Sequence, residues 1–485
     1  MNHSETVSGV KFFSRKEIPL EMHKVKVVQR LQLVPVERRL QAIQEGGYNS
    51  FLLNTRDIFL DMLTDSGTNA MSDKQVSKMF VADDAYAGSQ SYDKLETSIK
   101  EVLGKKLILP VHQGRAAENI ISIAFVKEGS ILPMNYHFTT TLAHIQKNGG
   151  NVVELYKEEA MKIKSSHPFK GDMDCLRLIE LIKKEGRDKI PFIRMEASTN
   201  LIGGQPFSMK NLKEVRAIAN EFDIPLVLDA SLIGENAYFI FKREKEYENS
   251  SIAEILIEMC DQADIVYFSA RKLSSSRGGA ICTNKKELYD KMRDLVPLYE
   301  GFLTYGGISI REIEAMAVGL RETVQEDVVG QSPAFIQYMV NELDKLSVPV
   351  ITPGGALGCH VDAKQFFPHI PQNEYPAGAL VAAFFLVSGI RGMERGTISS
   401  TRDINGNEIL ADMELMRLAL PRRLFTLSQV EYAIDRLHWL YTNRDIVGGL
   451  MFTEEPPVLR FFTGRLEPVG DWPQRLIEKF KKDME

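Results

Sequence analysis

The sequence predicts an α/β protein with a mostly parallel sheet in a large domain, joined to a smaller α+β domain. Three observations lead to this fold class. Apolar runs alternate with helical periodicity between residues 107 and 283, polar residues stand directly after two of these runs, and the alternation stops after Gly307. Strands that alternate with helices are typical of a parallel sheet covered by helices on both faces.

The strands of the large domain are predicted from short apolar runs that are rich in Val, Ile, Leu and Phe. These runs cover 107–111, 131–134, 152–155, 191–195, 225–229, 265–268 and 279–283. Between them, apolar residues recur with a period that is typical of helices over 115–126, 176–184 and 209–222.

The remainder of the chain predicts the second domain. Helices are expected at 311–325, 333–346 and 427–441, a turn into new strands at 348–355, and a strand at 416–421. We therefore divide the chain into an N-terminal arm (1–54) that is part of the small domain, a large domain (55–347) and a C-terminal small domain (348–485). The extension after Leu466 is either a short docking helix or a frayed tail.

Composition excludes several classes of function. The chain has 485 residues and a net charge of −6, so it has no basic excess for binding nucleic acid or an anionic membrane. Its longest apolar stretch, 377–387, is too short to cross a bilayer, and the N-terminal segment lacks the apolar core of a signal peptide. The four cysteines are scattered, which indicates reduced thiols and no metal site. We expect a cytoplasmic globular enzyme.

Asp229 and Lys272 are the first candidate site residues. Each follows an apolar run that is predicted to be a buried strand, and ligands of open α/β sheets bind at these strand ends. A carboxylate and an amine placed there could hold the pyridine nitrogen and the aldehyde of pyridoxal phosphate (PLP). The alternatives are a helix N-cap for Asp229 and a solvated surface lysine for Lys272.

A phosphate site is predicted beside them. Gln113, Gly114 and Arg115 lie at a strand–helix junction, where backbone N–H groups and an arginine can bind a phosphate. Ser269 would add a hydroxyl, and Arg271 is either a second phosphate contact or solvated. The alternative for the junction is an ordinary turn with a surface arginine.

Five further positions could contact a substrate or a flat cofactor. Tyr86, beside Gly88 and Ser89, is either a general acid on a mobile loop or a packing residue. Phe138 and Thr139 could stack on a cofactor and offer a hydroxyl, or belong to a strand. The last two positions are cations of the second domain, which either bind an anionic substrate group or form salt bridges: Arg395 and Arg417.

Several longer motifs converge on one family. They are LTDSGTNAMSD (63–73), AYAGS (85–89), HQGR (112–115), NLIGGQP (200–206), ENAYFI (235–240) and LRFFT (459–463). They resemble the aromatic-amino-acid β-eliminating lyases, the family of tyrosine phenol-lyase and tryptophanase. The resemblance runs from about residue 37 to residue 465, which is nearly the whole chain.

The resemblance implies a PLP-dependent enzyme of fold-type I, similar to aspartate aminotransferase, and a role for each matching position. Lys272 resembles the Schiff-base lysine, Asp229 the partner of the pyridine nitrogen and Phe138 the ring that stacks on the cofactor. The implied phosphate contacts are Gln113, Gly114, Arg115, Ser269 and Arg271, with Asn200 near the cofactor's 3-oxygen. The implied substrate carboxylate site consists of Arg417, Thr64 and Ser66. Tyr86 resembles the acid that protonates the leaving aromatic carbon.

The pocket for the substrate side chain resembles the phenol-lyase branch. Thr139, Met393, Arg395 and Phe461 match that branch, and Arg395 with Thr139 would orient a phenol oxygen. The implied reaction is β-elimination of L-tyrosine to phenol, pyruvate and ammonia. Two rival hypotheses remain, which are a divergent enzyme for a different or modified aromatic amino acid in a biosynthetic pathway, and a non-catalytic PLP-binding or structural subunit.

The resemblance also implies a homo-oligomer and a monovalent cation such as K⁺. Family active sites are shared in dimers or tetramers, with the Tyr86 loop and the segment near Phe302 crossing to the neighbour. Gly67 and Asp84 match the family's cation site. However, the segment from Lys272 to Gly278 is one residue shorter than in the family, which weakens the implied cation dependence. Leu232 also replaces a family arginine near the cofactor's 3-oxygen, and a lost cation would change the cofactor's pKa.

Overall fold

A mostly parallel sheet, seven-stranded within the described part of the chain, forms the centre of the larger domain. The computed structural model describes residues 12–14, 16–400, 402–403, 405–457 and 459–484. The strands of this chain are β1 (Leu60–Asp61), β2 (Leu107–Val111), β3 (Ile131–Met134), β4 (Asn151–Glu154), β5 (Ile193–Glu196), β6 (Leu226–Asp229), β7 (Ile265–Ser269), β8 (Gly279–Thr283), β9 (Gly358–Asp362), β10 (Ile390–Arg391), β11 (Met393–Arg395), β12 (Leu415–Ala419), β13 (Leu450–Glu454) and β14 (Arg465–Pro468).

Helices connect these strands and cover the sheet. They are α1 (Val36–Glu45), α2 (Asp73–Met79), α3 (Gln90–Leu103), α4 (Gly114–Phe125), α5 (Thr139–Lys147), α6 (Cys175–Glu185), α7 (Met209–Glu221), α8 (Ile233–Arg243), α9 (Ile252–Asp261), α10 (Ala270–Leu273), α11 (Lys286–Arg293), α12 (Leu295–Tyr299), α13 (Ile310–Glu322), α14 (Glu326–Val329), α15 (Gln331–Lys345), α16 (Ala363–Phe366), α17 (Pro376–Ser388), α18 (Leu427–Thr442), α19 (Arg460–Thr463) and α20 (Trp472–Met484).

The central sheet has the strand order β2-β8-β7-β6-β5-β3-β4. β8 is antiparallel to β2 and β7, and the other neighbours are parallel. Every residue of β5, β6, β7 and β8 is buried, which explains why these strands are mainly continuous apolar runs rather than alternating ones. The predicted α/β fold class with a mostly parallel sheet is confirmed.

A second core joins the N-terminal arm to the C-terminal part of the chain. Buried residues from Val36 to Leu63 pack in one hydrophobic cluster with residues from Phe335 to Phe480. The antiparallel sheet β11-β12-β9 lies in this part, and its register places Met393 opposite Arg417. The domain boundaries at 54 and 347 stay a prediction, and residues 1–11 and 15 of the arm lie outside the described residues.

Three predicted elements have the following outcomes in the structure. The predicted turn at 348–355 leads into β9, and Val350 before that strand forms a single bridge with Val361, because Pro349 has no N–H to donate to a ladder. Phe138 and Thr139 begin helix α5 and do not form a strand. The extension after Leu466 contains the docked helix α20, whose buried residues are Trp472, Pro473, Leu476, Ile477 and Phe480.

The remaining expectations about composition concern cysteines, metals and membranes. Cys260, Cys282 and Cys359 are buried, Cys175 is partly buried, and all four are free thiols. Over the described ranges, no group of three His, Cys, Asp or Glu residues is arranged to bind a metal ion. No helix in those same ranges is both long and apolar enough to span a bilayer.

Candidate active site

A cavity of about 300 Å³ opens at the carboxyl ends of the central strands. It contains every residue that the sequence predicts to contact the cofactor, together with the predicted carboxylate and side-chain contacts of the substrate. Three predicted site residues lie outside its lining, and they are Tyr86, Gly67 and Asp84. The lining consists of Phe51, Thr64, Ser66, Gln113, Gly114, Arg115, Glu118, Phe138, Thr139, Thr140, Glu196, Ala197, Asn200, Asp229, Ser231, Leu232, Tyr267, Ser269, Arg271, Lys272, Met393, Arg395, Arg417, Phe461 and Phe462.

Asp229 is the last residue of β6, and its carboxylate is held from the neighbouring strands. Its Oδ2 atom accepts hydrogen bonds from Arg194 Nη2 (2.8 Å) and from the Tyr267 hydroxyl (2.9 Å). Its Oδ1 atom accepts one from the backbone N–H of Ser231 (3.0 Å). Asp229 therefore does not serve as a side-chain cap of helix α8, which begins at Ile233 without one. The carboxylate is fixed in one orientation and faces the cavity.

Lys272 lies on the short helix α10, directly after β7, and lines the same cavity. Its Nζ atom is 5.4 Å from the centroid of the Phe138 ring. The guanidinium carbon of Arg395 is 5.6 Å from the same centroid. Phe138 thus lies near both an amine of the large domain and a cation of the second domain, and its ring lines the cavity, where it can stack on a flat ligand.

The predicted phosphate contacts surround the first turn of α4. Gly114 begins this helix and lines the cavity together with Arg115, so the first backbone N–H groups of the helix lie beside the cavity. A Cβ atom at Gly114 would lie only 3.0 Å from the Cβ of Ser269, and glycine therefore permits this close approach of two chain segments. Arg271 donates from Nε to the hydroxyl of Ser66 (3.2 Å), so it is anchored at the edge of the cavity and is not freely solvated.

Arg417 is a buried cation whose hydrogen-bond partners among the described residues are all uncharged. Its guanidinium donates to Asn200 Oδ1 (2.9 Å) and to the Leu63 carbonyl (2.8 Å), and it also contacts Met393 Sδ (2.7 Å). Its Nε atom is buried without a hydrogen-bond partner among the described residues. Burial lowers the pKa of Arg417 to about 10. A cation in this environment is suited to receive an anion from the cavity.

Arg395 lies beside Arg417 in the same cavity. Its Nη1 atom is 3.4 Å from the Thr139 hydroxyl, and its buried Nε atom has no hydrogen-bond partner among the described residues. Burial and the neighbouring charge of Arg417 lower the pKa of Arg395 well below its usual value. Arg395 and Thr139 therefore form a second polar site in the cavity, separate from the site formed by Arg417 and its uncharged partners.

Tyr86 is separated from this cavity within the chain. It is 70% exposed and stacks on Phe302, with ring centroids 5.7 Å apart. The ring of Tyr305 lies edge-on to the ring of Tyr86, with centroids 5.2 Å apart. The predicted general acid thus lies on an exposed aromatic cluster formed by Tyr86, Phe302 and Tyr305.

The cavity also contains acidic residues that the sequence analysis did not identify. Glu196, the last residue of β5, accepts from Arg194 Nη1 (3.2 Å) and from the backbone N–H of Asn200 (3.0 Å). Glu118 accepts from the hydroxyls of Thr140 and Thr141, both at 2.6 Å. Burial, and then the negative charge of Asp229, raise the pKa of Glu118 to about 7. Arg194 and Glu196 are charged residues in an otherwise apolar strand. This interruption was the sequence feature that could have identified them as site residues.

The described donors fit pyridoxal phosphate. The cavity has an oriented carboxylate at Asp229, an amine at Lys272, and a helix N-terminus with Arg115 and Arg271 for a phosphate. The buried Nδ2 atom of Asn200 has no hydrogen-bond partner among the described residues, so it can donate to an oxygen of a ligand.

Two solved structures define the class of the fold. Serine palmitoyltransferase from S. paucimobilis superposes with a TM-score of 0.54 at 13% identity, covering 80% of this chain and 87% of the enzyme. A Saccharomyces cerevisiae protein provisionally assigned as a kynurenine aminotransferase superposes with a TM-score of 0.61 at 15% identity, covering 86% and 100% of the two chains. The protein therefore has the predicted fold-type I architecture.

Sequence comparison identifies the family within that class. The profile of the β-eliminating lyases matches residues 61–435, and the chain belongs to this family. Tyrosine phenol-lyase from Pasteurella multocida is 41% identical, covering 93% of this chain and 99% of that enzyme. Tyrosine phenol-lyases from Nostoc punctiforme and Symbiobacterium thermophilum are also 41% identical, covering 92% and 93% of this chain and 96% and 99% of their own lengths. The predicted family is confirmed.

Proposed function

We propose that this protein is a PLP-dependent carbon–carbon lyase that converts L-tyrosine and water to phenol, pyruvate and ammonia. The single observation that carries the proposal is the buried guanidinium of Arg417, which has only uncharged partners and an unused Nε atom in a cavity that also contains Lys272 and Asp229. A substrate carboxylate would complete the contacts of this cation. Tyrosine phenol-lyases with about 41% identity over most of the chain support the same substrate.

The residues of the chain divide the work as follows. Bound PLP supplies an electron sink for the carbanion chemistry of the substrate. Arg417, with Thr64 and Ser66, binds the substrate carboxylate, and Lys272 removes the α-proton. Arg395 and Thr139 hold the phenol oxygen. Two residues of the cavity enclose the aromatic ring, and they are Met393 and Phe461.

The proton for the leaving ring carbon comes from Tyr86. Since Tyr86 lies outside the cavity of its own chain and is exposed, we propose that it enters the cavity of a neighbouring subunit. The protein would then act as a dimer, or as a tetramer built from two such dimers, with shared active sites. A proton supplied in place at the ring carbon lowers the barrier of the carbon–carbon cleavage.

A second candidate function is elimination from a modified aromatic amino acid. Leu232 lines the cavity where the family carries an arginine, and the cavity also contains the carboxylate of Glu196. Leucine cannot supply the positive charge that the resemblance implies near the cofactor's 3-oxygen, so the reactivity of the bound cofactor, and with it the preferred substrate, would differ from the family pattern.

The test is an assay of the purified protein with PLP and L-tyrosine, in which phenol and pyruvate are measured separately. Equal amounts of both products would support the proposal. Bound PLP without either product would reject L-tyrosine, and a panel of ring-substituted tyrosines would then test the second candidate. Absence of PLP binding would reject both.

A further inference from the structure

The surroundings of Gly67 do not fit the monovalent cation that the family resemblance implies. The carbonyl oxygen of Gly67, a matching cation ligand, accepts a hydrogen bond from Arg277 Nη1 at 2.5 Å. The second matching ligand, Asp84, forms an ion pair with Arg311 Nε at 3.5 Å. Both oxygen ligands therefore already face a guanidinium group of the chain.

The shortened segment before Gly278 also directs its oxygen atoms to internal partners. The carbonyl of Ser274 accepts from the amide of Gln75 (2.7 Å), and the hydroxyls of Ser274 and Ser276 are 2.8 Å apart. The carbonyl of Arg277 accepts from the hydroxyl of Ser276 (3.3 Å). A hard cation needs several oxygen ligands that converge on one point, and these oxygens are directed to one another and to Gln75.

The space beside Gly67 is filled by positive charge. Gly67 has a φ of +80°, and a Cβ atom there would lie 1.8 Å from Arg277 Nη1 and 2.7 Å from Arg271 Nη2. Two guanidinium groups thus converge on this glycine. A metal ion at the same point would meet both of them, and like charges at this separation repel each other.

We infer that the guanidinium of Arg277 takes the place of the monovalent cation, so that this protein needs no K⁺ to bind its cofactor. The inference rests on the proposed function in so far as PLP is the ligand. An arginine remains charged at every working pH and is attached to the chain. The occupancy of a bound ion depends on the concentration of that ion, whereas a side chain is always present at its site. The concentration of salt cations would therefore not alter the site occupied by Arg277.

The experiment compares PLP binding and thermal unfolding of the full-length protein in two buffers. One contains about 100 mM KCl, and the other contains tetramethylammonium chloride at the same ionic strength, which keeps electrostatic screening equal. For the unaltered protein, we expect the PLP dissociation constant to differ by less than about twofold between the buffers, with equal Tm values. Tighter binding in KCl by about tenfold or more would overturn the inference.

Arg277→Met tests the residue, with Arg321→Met as the matched control. Arg321 is an exposed arginine of α13 that pairs with Glu101, away from Gly67. In tetramethylammonium, we expect Arg277→Met to bind PLP about tenfold more weakly, and K⁺ or methylguanidinium to restore binding. Unchanged binding in this variant, or a loss that neither cation reverses in a protein with an unchanged Tm, would contradict the inference. If no variant and no buffer allows PLP to bind, the proposed function itself fails.

Discussion

The guanidinium of Arg194 lies 2.8 Å from the carboxylate of Asp229, across two neighbouring strands of the central sheet. The same guanidinium contacts Glu196 at 3.2 Å, and its side chain is 1% exposed. Burial alone would lower the pKa of Arg194, but its acidic surroundings, Tyr267, Glu196 and Asp229 among them, raise it well above its usual value. A permanently charged arginine therefore balances two buried carboxylates that line the cavity.

Arg194→Met should destabilise the protein because it leaves Glu196 and Asp229 as unpaired buried carboxylates. Removing one partner of a buried ion pair costs about 3–5 kcal/mol, so we expect a clear fall in Tm. PLP should also bind more weakly, since the orientation of Asp229 is lost. The double variant Arg194→Met/Glu196→Ala removes one of the two carboxylates and should recover part of the Tm. Equal Tm values for Arg194→Met and the unaltered protein would show that the pair contributes nothing.

Lys272→Ala should remove the visible absorbance band of the bound cofactor and leave the fold intact. Lys272 is only partly buried and lies on a four-residue helix, so truncation leaves no large cavity in the core. The measurements are the absorbance spectrum with PLP and the Tm. Reduction of the unaltered protein with borohydride, followed by peptide mapping, should label Lys272. A label on another lysine would refute the assignment.

Arg417 and Arg395 should fail in different ways when each is replaced by methionine. Arg417→Met should weaken binding of both L-tyrosine and L-alanine by about a hundredfold, because a charge-assisted carboxylate contact of roughly 3 kcal/mol is lost. Arg395→Met should weaken or slow only the reaction of L-tyrosine, because L-alanine has no ring oxygen to contact. L-Alanine binding is measured from the spectrum of the bound cofactor. An equal loss of L-alanine binding in both variants would contradict the separate roles.

Glu118 should make the stability of the protein fall as the pH rises through neutrality. Its pKa is raised from 4.5 to about 7, so between these values the folded chain retains a proton that the unfolded chain releases. The stabilisation is complete below pH 4.5 and is lost as the pH passes 7. The difference between these two pKa values corresponds to about 3 kcal/mol of stability.

Glu118→Gln removes this titration without a large change of shape. We expect its Tm to change less between pH 5 and pH 8 than the Tm of the unaltered protein, with the two curves converging toward the acidic end. Parallel Tm curves over that range would show that Glu118 titrates normally. Thr140→Val serves as a control, because it removes one of the hydroxyl contacts of Glu118 but retains the carboxylate.

Much of this fold was accessible from the sequence because its strands are continuous apolar runs with polar residues at their ends. The positions of Asp229 and Lys272 followed from that pattern alone, whereas the roles of Arg395 and Arg417 depended on the family resemblance. Arg194 and Glu196 were missed, because two charged residues within an apolar strand do not reveal from the sequence which residues they contact. The contact of Arg277 with Gly67 joins segments about two hundred residues apart, and no local pattern reports such a pairing.

The exposed position of Tyr86 predicts that two inactive variants will restore activity to each other. Tyr86→Phe should lack the general acid, and Lys272→Ala should lack the base. If Tyr86 completes the cavity of a neighbouring subunit, a mixed dimer contains one site with neither substitution and one with both. Mixing the two proteins under conditions that exchange subunits should therefore produce lyase activity, up to about a quarter of the normal value for random pairing of equal amounts.

The control is to mix each variant with itself, which should remain inactive because no exchange can create an intact site. Sedimentation of the mixture measures whether dimers form at all. If dimers exchange and the mixture remains inactive, Tyr86 does not serve the neighbouring cavity. A monomer with full activity would refute the shared site in another way, because Tyr86 is outside the cavity of its own chain and stacks on Phe302.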